Sequence, residues 1–540
     1  MKKLLFIIAL FSVGFCYAQE DAWVYFRDKP DAEFYLANPL EMLTQKALDR
    51  RTKQGIALDD KDVPIHQAYI DEVIASQGIT VMAKSKWLNV LHIRGSREDI
   101  LTLKVLSFVD KVDFANKTLN IPGNISGRTA NQQQYMAVNK DFETHTDFNY
   151  GSSANQIQML KGNLLHEQNF TGKGMTIAVL DAGFPGVNTT QPFKRLFDNS
   201  LILGGYDFVT RSDNFYGGGT HGTLVLSTMG GYIDGQLTGT APDAFYYLFI
   251  TEDPTSENPV EESYWVEAAE KADSLGVDVI NTSLGYFGYD NTAYSYTYEN
   301  MDGQTAFISR GANVAFLKGI MCVVSAGNTG TSNAPHIGVP ADAANSLTVG
   351  AVDAQRNYGS FSSIGPSFDN RVKPDVMAKG AQSTIATTDG TVGTASGTSF
   401  ASPITAGLVA CLWQALPDMT NVELLQLIRQ SADRYANPTN QYGYGIPDFS
   451  LALQNGKDIK NMNTRFILFP NPCNDIVNIA FPKGVHSATV TVFNNLGQLV
   501  VNKAVSTNEP YLTLGALATG VYSYKLESAA VSQRGRLIKE

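Results

Sequence analysis

Three short segments of this 540-residue chain carry side chains whose type and setting could break bonds. The first, Thr176-Ile177-Ala178-Val179-Leu180-Asp181-Ala182-Gly183, is an apolar run that ends on a carboxylate. As a buried strand it would deliver Asp181 at its C-terminal end, the edge of an open α/β sheet where ligands and reactions gather. The second, Gly217-Gly218-Gly219-Thr220-His221-Gly222-Thr223, sets a histidine in a glycine-rich loop ahead of helix-like Leu224 to Met229. The third runs from Gly393 through Gly397-Thr398-Ser399-Phe400-Ala401-Ser402-Pro403 into apolar, helix-like Ile404 to Leu416. Ser399 there sits among small residues at a helix N-terminus, where backbone N–H groups and the helix dipole favour negative charge. Singly, each has an ordinary reading: a turn-closing Asp, a loop His, and Ser or Thr as N-caps. Together they supply a nucleophile, a general base and a carboxylate to orient that base.

Such a set needs a rigid support, and the surrounding pattern provides one. Short apolar runs (Met175 to Leu180, Tyr246 to Ile250, Val277 to Ile280, Ile320 to Val324, Leu347 to Val352) alternate with helix-like Glu261 to Leu275, Ser309 to Lys318 and Ile404 to Leu416. Continuous apolar strands alternating with helices predict an α/β fold, a parallel sheet sandwiched by helices.

The order Asp, His, Ser is that of subtilisin, and the segments resemble the subtilisin-type serine proteases (subtilases) around all three residues. The resemblance covers roughly Asn155 to Leu453. It implies Asp181, His221 and Ser399 as the triad. Val323-Val324-Ser325-Ala326-Gly327-Asn328 resembles the strand that presents the oxyanion-hole amide, which assigns that role to Asn328, and Ser283-Leu284-Gly285 resembles the edge that pairs with an extended peptide. Gly239 to Pro242, Thr348 to Asp353, Phe361-Ser362-Ser363 and Pro374-Asp375-Val376 also fall where the family has similar segments. Three positions depart from it. Ala182 stands where a Thr or Ser usually follows the acid, which removes a hydroxyl from the surroundings of Asp181, and Leu224 and Ile404 replace residues that are often polar or His.

The flanks carry resemblances of their own. Trp87 to Ile93 reads as a strand, Arg97 to Ser107 as a helix, Val109 to Phe114 as a strand and Asp71 to Ser76 as helical; this resembles the inhibitory propeptide of subtilases, a small α+β domain. Self-cleavage is expected between about Leu119 and Asn155, in a Gln/Asn-rich stretch. Phe466-Ile467-Leu468-Phe469-Pro470-Asn471-Pro472, Val492 to Gln498, Leu517 to Tyr522 and basic Arg534 to Lys539 resemble the C-terminal sorting domain of the type IX (Por) secretion system. That domain reads as a small all-β sandwich, for which an adhesion or carbohydrate-binding module is the other reading. Lys2, Lys3, the apolar run Leu4 to Phe15 and Cys16-Tyr17-Ala18 read as a cleaved signal peptide, too short for a spanning helix. The expected layout is therefore signal 1–18, propeptide 19–120, linker 121–154, protease domain 155–455, linker 456–465 and sorting domain 466–540.

Composition closes off other classes. Apolar residues make up 44% and charged residues 17%, and the net charge of −11 gives no basic surface for nucleic acid or anionic membrane. Among seven His there is no His-Glu-x-x-His for a zinc protease. No Cys has a papain-like surround, and Thr398-Ser399-Phe400 is not the Gly-x-Ser-x-Gly of an α/β-hydrolase. Of four cysteines, Cys322, Cys411 and Cys473 remain after the signal; buried free thiols are the default, with a Cys322–Cys411 bridge left open. No cofactor is needed for the chemistry. Structural calcium could be held near Asp290 and Asp302, as loops in the family often do. Tyr286, Tyr289, Tyr294, Tyr296 and Tyr298 could line subsites or pack a surface insertion. The expected product is a monomeric serine endopeptidase at or beyond the surface of a two-membrane bacterium. Its partners are polypeptide substrates, its own propeptide and the type IX machinery. The rival reading is a surface-displayed binding protein on a protease scaffold.

Overall fold

The computed structural model describes residues 19–120 and 148–540. The expected signal peptide, most of the first linker and most of the expected cleavage window lie outside those residues. Two compact units are present, one ending at Ser450 and one running from Leu451 to Glu540.

In the first unit, residues 19–114 build a four-stranded antiparallel sheet of order β2-β3-β1-β4, from β1 (Gln19–Phe26), β2 (Thr80–Ser85), β3 (Val90–Ser96) and β4 (Val109–Phe114). Strand β1 was not legible as one because both of its faces are covered, so it shows no polar–apolar alternation. Ala22, Val24 and Phe26 face a core with Ile70 and Val73 of helix α2 (Gln67–Ala75) and Ile100 of α3 (Arg97–Thr102). Trp23 and Tyr25, on the opposite side, join a second core built around residues 178–343. Two expected boundaries shift. Trp87 to Asn89 form a turn, with Asn89 at φ 51°, and the strand starts at Val90. The helix expected over Arg97 to Ser107 ends at Thr102 and tightens into a 3₁₀ turn over Leu103–Val105.

Residues 176–379 build a seven-stranded, wholly parallel sheet. Its strands are β5 (Thr176–Asp181), β6 (Ile202–Asp207), β7 (Phe245–Ile250), β8 (Val279–Thr282), β9 (Met321–Ser325), β10 (Leu347–Val352) and β11 (Val376–Lys379), in the order β11-β10-β9-β8-β5-β7-β6. Strand β5 is buried at every position, which is why the sequence reads there as one apolar run. Its alternate residues Ala178 and Leu180 pack with α5 (Val260–Leu275) and α6 (Phe307–Leu317). Ile177 and Val179 point the other way and are equally buried. The second layer comes from α4 (His221–Gly230) and α7 (Thr398–Ala415), with α7 touching β5 and β8 to β11. The chain adds strands on one side of β5 and then crosses to the other, so the strand order reverses around Asp181.

Cys322, Cys411 and Cys473 are buried and unbridged. Cys322 lies against the Ala312 carbonyl of α6, and Cys411 on α7 against that of Thr240. The two thiols therefore belong to opposite layers. Among the described residues no helix is long and apolar enough to cross a membrane.

Helix α8 (Phe449–Thr464) occupies most of 456–465, where a linker was expected. Its Asn-Gly-Lys stretch reads locally as a loop, but Phe449, Ala452 and Leu453 recur at helical spacing. The C-terminal unit then forms two antiparallel sheets from β12 (Ile467–Phe469), β13 (Ile476–Ala480), β14 (Ser487–Phe493), β15 (Leu499–Ser506), β16 (Tyr511–Thr513), β17 (Gly520–Glu527) and β18 (Ser532–Lys539). The orders are β12-β13-β16 and β15-β14-β17-β18. Val477 and Leu512 of one sheet share a core with Val490, Val492 and Leu526 of the other, the arrangement of a small sandwich.

Candidate active site

Asp181 ends β5 and is 1% exposed. Its Oδ1 accepts from the Ala182 N–H at 2.8 Å and meets His221 Nδ1 at 2.8 Å. His221 is the first residue of α4, and close backbone contacts hold it to the strand end. Gly219 N–H donates to the Ala182 carbonyl at 2.8 Å and Phe184 N–H to that of Gly217 at 2.9 Å. No side chain fits there: a Cβ on Gly183 would lie 2.4 Å from the Gly217 oxygen, and one on Gly222 2.5 Å from the Gly183 oxygen. The glycines flanking the acid and the histidine are thus what allows the two to meet. The Asp181 charge raises the His221 pKa above its usual value, with burial opposing. Asp181 Oδ2 is buried and has no hydrogen-bond partner among the described residues, and Ala182 brings no hydroxyl to it.

Ser399 is the second residue of α7 and is 8% exposed. Its Oγ donates to the Ser283 carbonyl at 3.2 Å, and its own carbonyl accepts from Ser283 Oγ at 2.9 Å. No hydrogen bond joins His221 to Ser399 among the described residues, although the His221 ring centroid is 6.0 Å from that of neighbouring Phe400. The Ser399 N–H, one of the first four of its helix, has no intrahelical acceptor. Asn328 follows β9 and is exposed. Its Oδ1 accepts from Thr398 N–H at 2.9 Å and Thr398 Oγ at 3.0 Å. Two donors on one end fix the amide's orientation and leave the NH₂ end to donate. Leu284 is half-buried and Gly285 exposed just beyond β8, and Tyr286 closes this edge against Val339. Asp181, Ser283 to Gly285 and Asn328 lie at or just beyond strand C-termini, and His221 and Ser399 lie in the first turns of α4 and α7.

Asp302 and Asp290 do not belong to any group of three carboxylates near enough to share an ion among the described residues. Asp302 accepts from Gln304, Thr305 N–H and Thr305 Oγ, closing its own turn. The tyrosines are packed rather than open: Tyr289 and Tyr296 both donate to Glu262 at 2.6 Å, Tyr286 to Glu252, and Tyr294 to Glu20 of β1 at 2.9 Å. Sequence reading missed Glu252, Glu257 and Glu261, whose carboxylate oxygens lie within 4.8 Å of one another. The signal was there, in an acidic run (Thr251-Glu252-Asp253 to Glu262) leaving the C-terminal end of β7.

Residues 172–445 match a family model described as the subtilase family. Residues 21–135 match one described as the peptidase S8 propeptide domain of Bacteroidota, and 467–540 one described as a secretion system C-terminal sorting domain. Among curated relatives, subtilisin NAT of Bacillus subtilis subsp. natto is 30% identical over 316 residues, 58% of this chain and 74% of its own. Subtilisin E of Bacillus subtilis strain 168 gives the same figures. The subtilisin of Bacillus pumilus is 30% identical over 301 residues, 55% of this chain and 98% of its own.

Proposed function

The chain belongs to the subtilase family, and from that premise we propose that it hydrolyses peptide bonds through Asp181, His221 and Ser399 by way of an acyl-enzyme. The observation that carries this reading is the joined Asp181–His221 pair at the same sheet edge as Ser399 and Asn328. His221 Nε2 takes the Ser399 proton once Oγ turns from the Ser283 carbonyl, and Oγ attacks the peptide carbonyl. Asp181 holds the imidazole in the Nδ1–H tautomer and stabilises the imidazolium. The Ser399 N–H and the Asn328 NH₂ donate to the developing oxyanion. The imidazolium then protonates the leaving amine; water, deprotonated by His221, attacks the acyl carbonyl, and His221 returns that proton to Ser399 Oγ as the ester bond breaks and the acid product leaves. Leu284 and Gly285 offer the edge along which an extended substrate pairs.

Residues 19–120 act as the intramolecular inhibitor. They cover α5 and α6, with Trp23 stacked on Phe307 at 5.3 Å and its Nε1 donating to Ser263 at 3.0 Å. The enzyme removes them by self-cleavage between about Leu119 and Asn155. The sorting domain delivers the protein through type IX secretion to the surface of a two-membrane bacterium or beyond.

A serine-reactive fluorophosphonate probe tests the assignment directly. It is expected to label the wild-type protein at Ser399 and to leave the Ser399→Ala protein unlabelled. That variant loses peptide hydrolysis by about 10⁶-fold and retains its propeptide. Unlabelled wild-type protein with no hydrolysis would favour the surface-displayed binding protein instead.

A further inference from the structure

Beside His221 opens a cavity of about 370 Å³. Its lining includes Asp181, Glu252, Asp253, Glu257 and Asp290 and, among the described residues, no Lys or Arg. Some of these groups are already committed. Asp253 Oδ1 accepts from Thr255, and Asp290 Oδ2 from the Glu257 N–H at 3.0 Å, which ties the two walls together. Glu261, at the foot of the cluster, accepts from Asp253 and Asn258 N–H. Glu257 is not committed. Its carboxylate accepts no hydrogen bond among the described residues. Asp181 Oδ2 accepts no hydrogen bond among the described residues either, but that atom is closed to solvent and its carboxylate is already held by His221 and the Ala182 N–H.

Burial, and after it the Asp290 charge, pushes Glu257 up to about 7. Burial likewise takes Glu261 up to about 8, with Glu257 and Asp253 adding to the rise. Burial without a counter-charge thus favours the protonated form of these carboxyls, and a cation brought into the cavity would stabilise their ionised form and enter with release of a proton. A ligand that places its cation there also lies against the catalytic histidine. An extended peptide advances about 3.3 Å per residue, so a side chain within a few residues of the scissile bond reaches this cavity.

We propose that the cavity selects a lysine or arginine side chain of the peptide substrate close to the scissile bond. This rests on the protease reading above and adds the substrate class to it.

The test is a positional-scanning peptide library cleaved by the processed enzyme obtained from the full chain, with cleavage sites mapped by mass spectrometry. One position near the scissile bond is expected to favour Lys or Arg over norleucine or Gln by tenfold or more in kcat/KM. Glu257→Gln, alone and with Glu252→Gln, is expected to bring that ratio towards one. Glu257→Lys is expected to turn the preference at the same position towards Asp or Glu, a gain that a misfolded protein cannot produce. Wild-type cleavage with no basic preference, or a preference unchanged in these variants, overturns the inference and leaves the protease reading standing. Stoichiometric Ca²⁺ binding that Glu257→Gln removes, with Lys and norleucine peptides affected alike, also overturns it and makes the cluster a metal site. A wild-type enzyme that cleaves nothing strikes the protease reading itself.

Discussion

Helix α5 carries carboxylates to two places, and they are treated in opposite ways. Along its C-terminal half, under the propeptide, each carboxylate is met. Asp273 is shared by Arg50 and Arg51 of α1 (Gln45–Lys53), Arg51 also pairs with Asp62 at 2.9 Å, and Asp62 with Lys318 at 2.8 Å. Glu270 accepts from Ser85 Oγ at 2.6 Å and from the Trp87 and Lys86 N–H groups at 2.9 and 3.0 Å. At its N-terminal end, by the cleft, Glu261 and the Glu252 and Glu257 of the segment leading into the helix meet no cation among the described residues. Buried charge is tolerated only when paired and hydrogen-bonded. The paired end reads as a contact completed within the precursor, and the unpaired end as one completed by something that arrives.

The comparison breaks most visibly at Asp273. Asp273→Ala leaves two nearly buried guanidinium groups, with side chains 5% and 2% exposed, short of a carboxylate. Removing one partner of a buried pair costs about 3–5 kcal/mol, so the cleaved propeptide is expected to dissociate roughly a hundred- to several-thousand-fold more readily. The dissociation rate after self-cleavage measures it. A change below about threefold would mean that the ion network does not hold the propeptide on α5.

At the cleft, Asn328→Ala removes a donor fixed by two hydrogen bonds from Thr398. The expected loss is about 10²–10³ in kcat with little change in KM; self-cleavage slows, but the dissociation rate of the propeptide once cleaved does not change. Steady-state kinetics on the processed enzyme decides it. Equal losses at both places would erase the distinction between holding a propeptide and stabilising a transition state.

The two regions were also unequally legible. The parallel sheet could be read because strands buried on both faces appear as unbroken apolar runs, as in Ile177 to Leu180. Asp181, His221 and Ser399 stood out because glycines and small residues crowd them, and the contacts at Gly183 and Gly222 show why those residues must be small. Strand β1 and the charged contact surface were not legible. Arg50, Arg51 and Asp273 look like solvated helix residues until a second domain covers them. Their partners are more than two hundred positions away in the chain, and local pattern carries no trace of such pairing. The cleft carboxylates were missed for the converse reason: the acidic run from Glu252 to Glu262 is visible in the sequence, but a run that folds around a cavity reads the same as one that is solvated.

The smallest expected effect is one of pH, and both regions contribute to it. Burial pushes Glu270 up to about 7, against the Lys86 charge and three hydrogen bonds that favour its ionised form. Release of the propeptide returns the carboxyl to water and towards its ordinary 4.5. Between those values the bound state holds more protons than the released one. The propeptide complex is therefore favoured at the acid end and weakens as pH rises towards 7, by at most tenfold per pH unit for one proton. His221 moves in the same sense: the Asp181 charge raises its pKa above the ordinary value, so the neutral imidazole that the proposed mechanism needs is favoured by raising the pH. Raising the pH should loosen the inhibitor and arm the base together. Propeptide dissociation measured from pH 4.5 to 8 should show the slope, and Glu270→Gln should flatten it while kcat/KM of the processed enzyme keeps its acid limb. A slope that survives Glu270→Gln would assign the proton to another buried group at the contact.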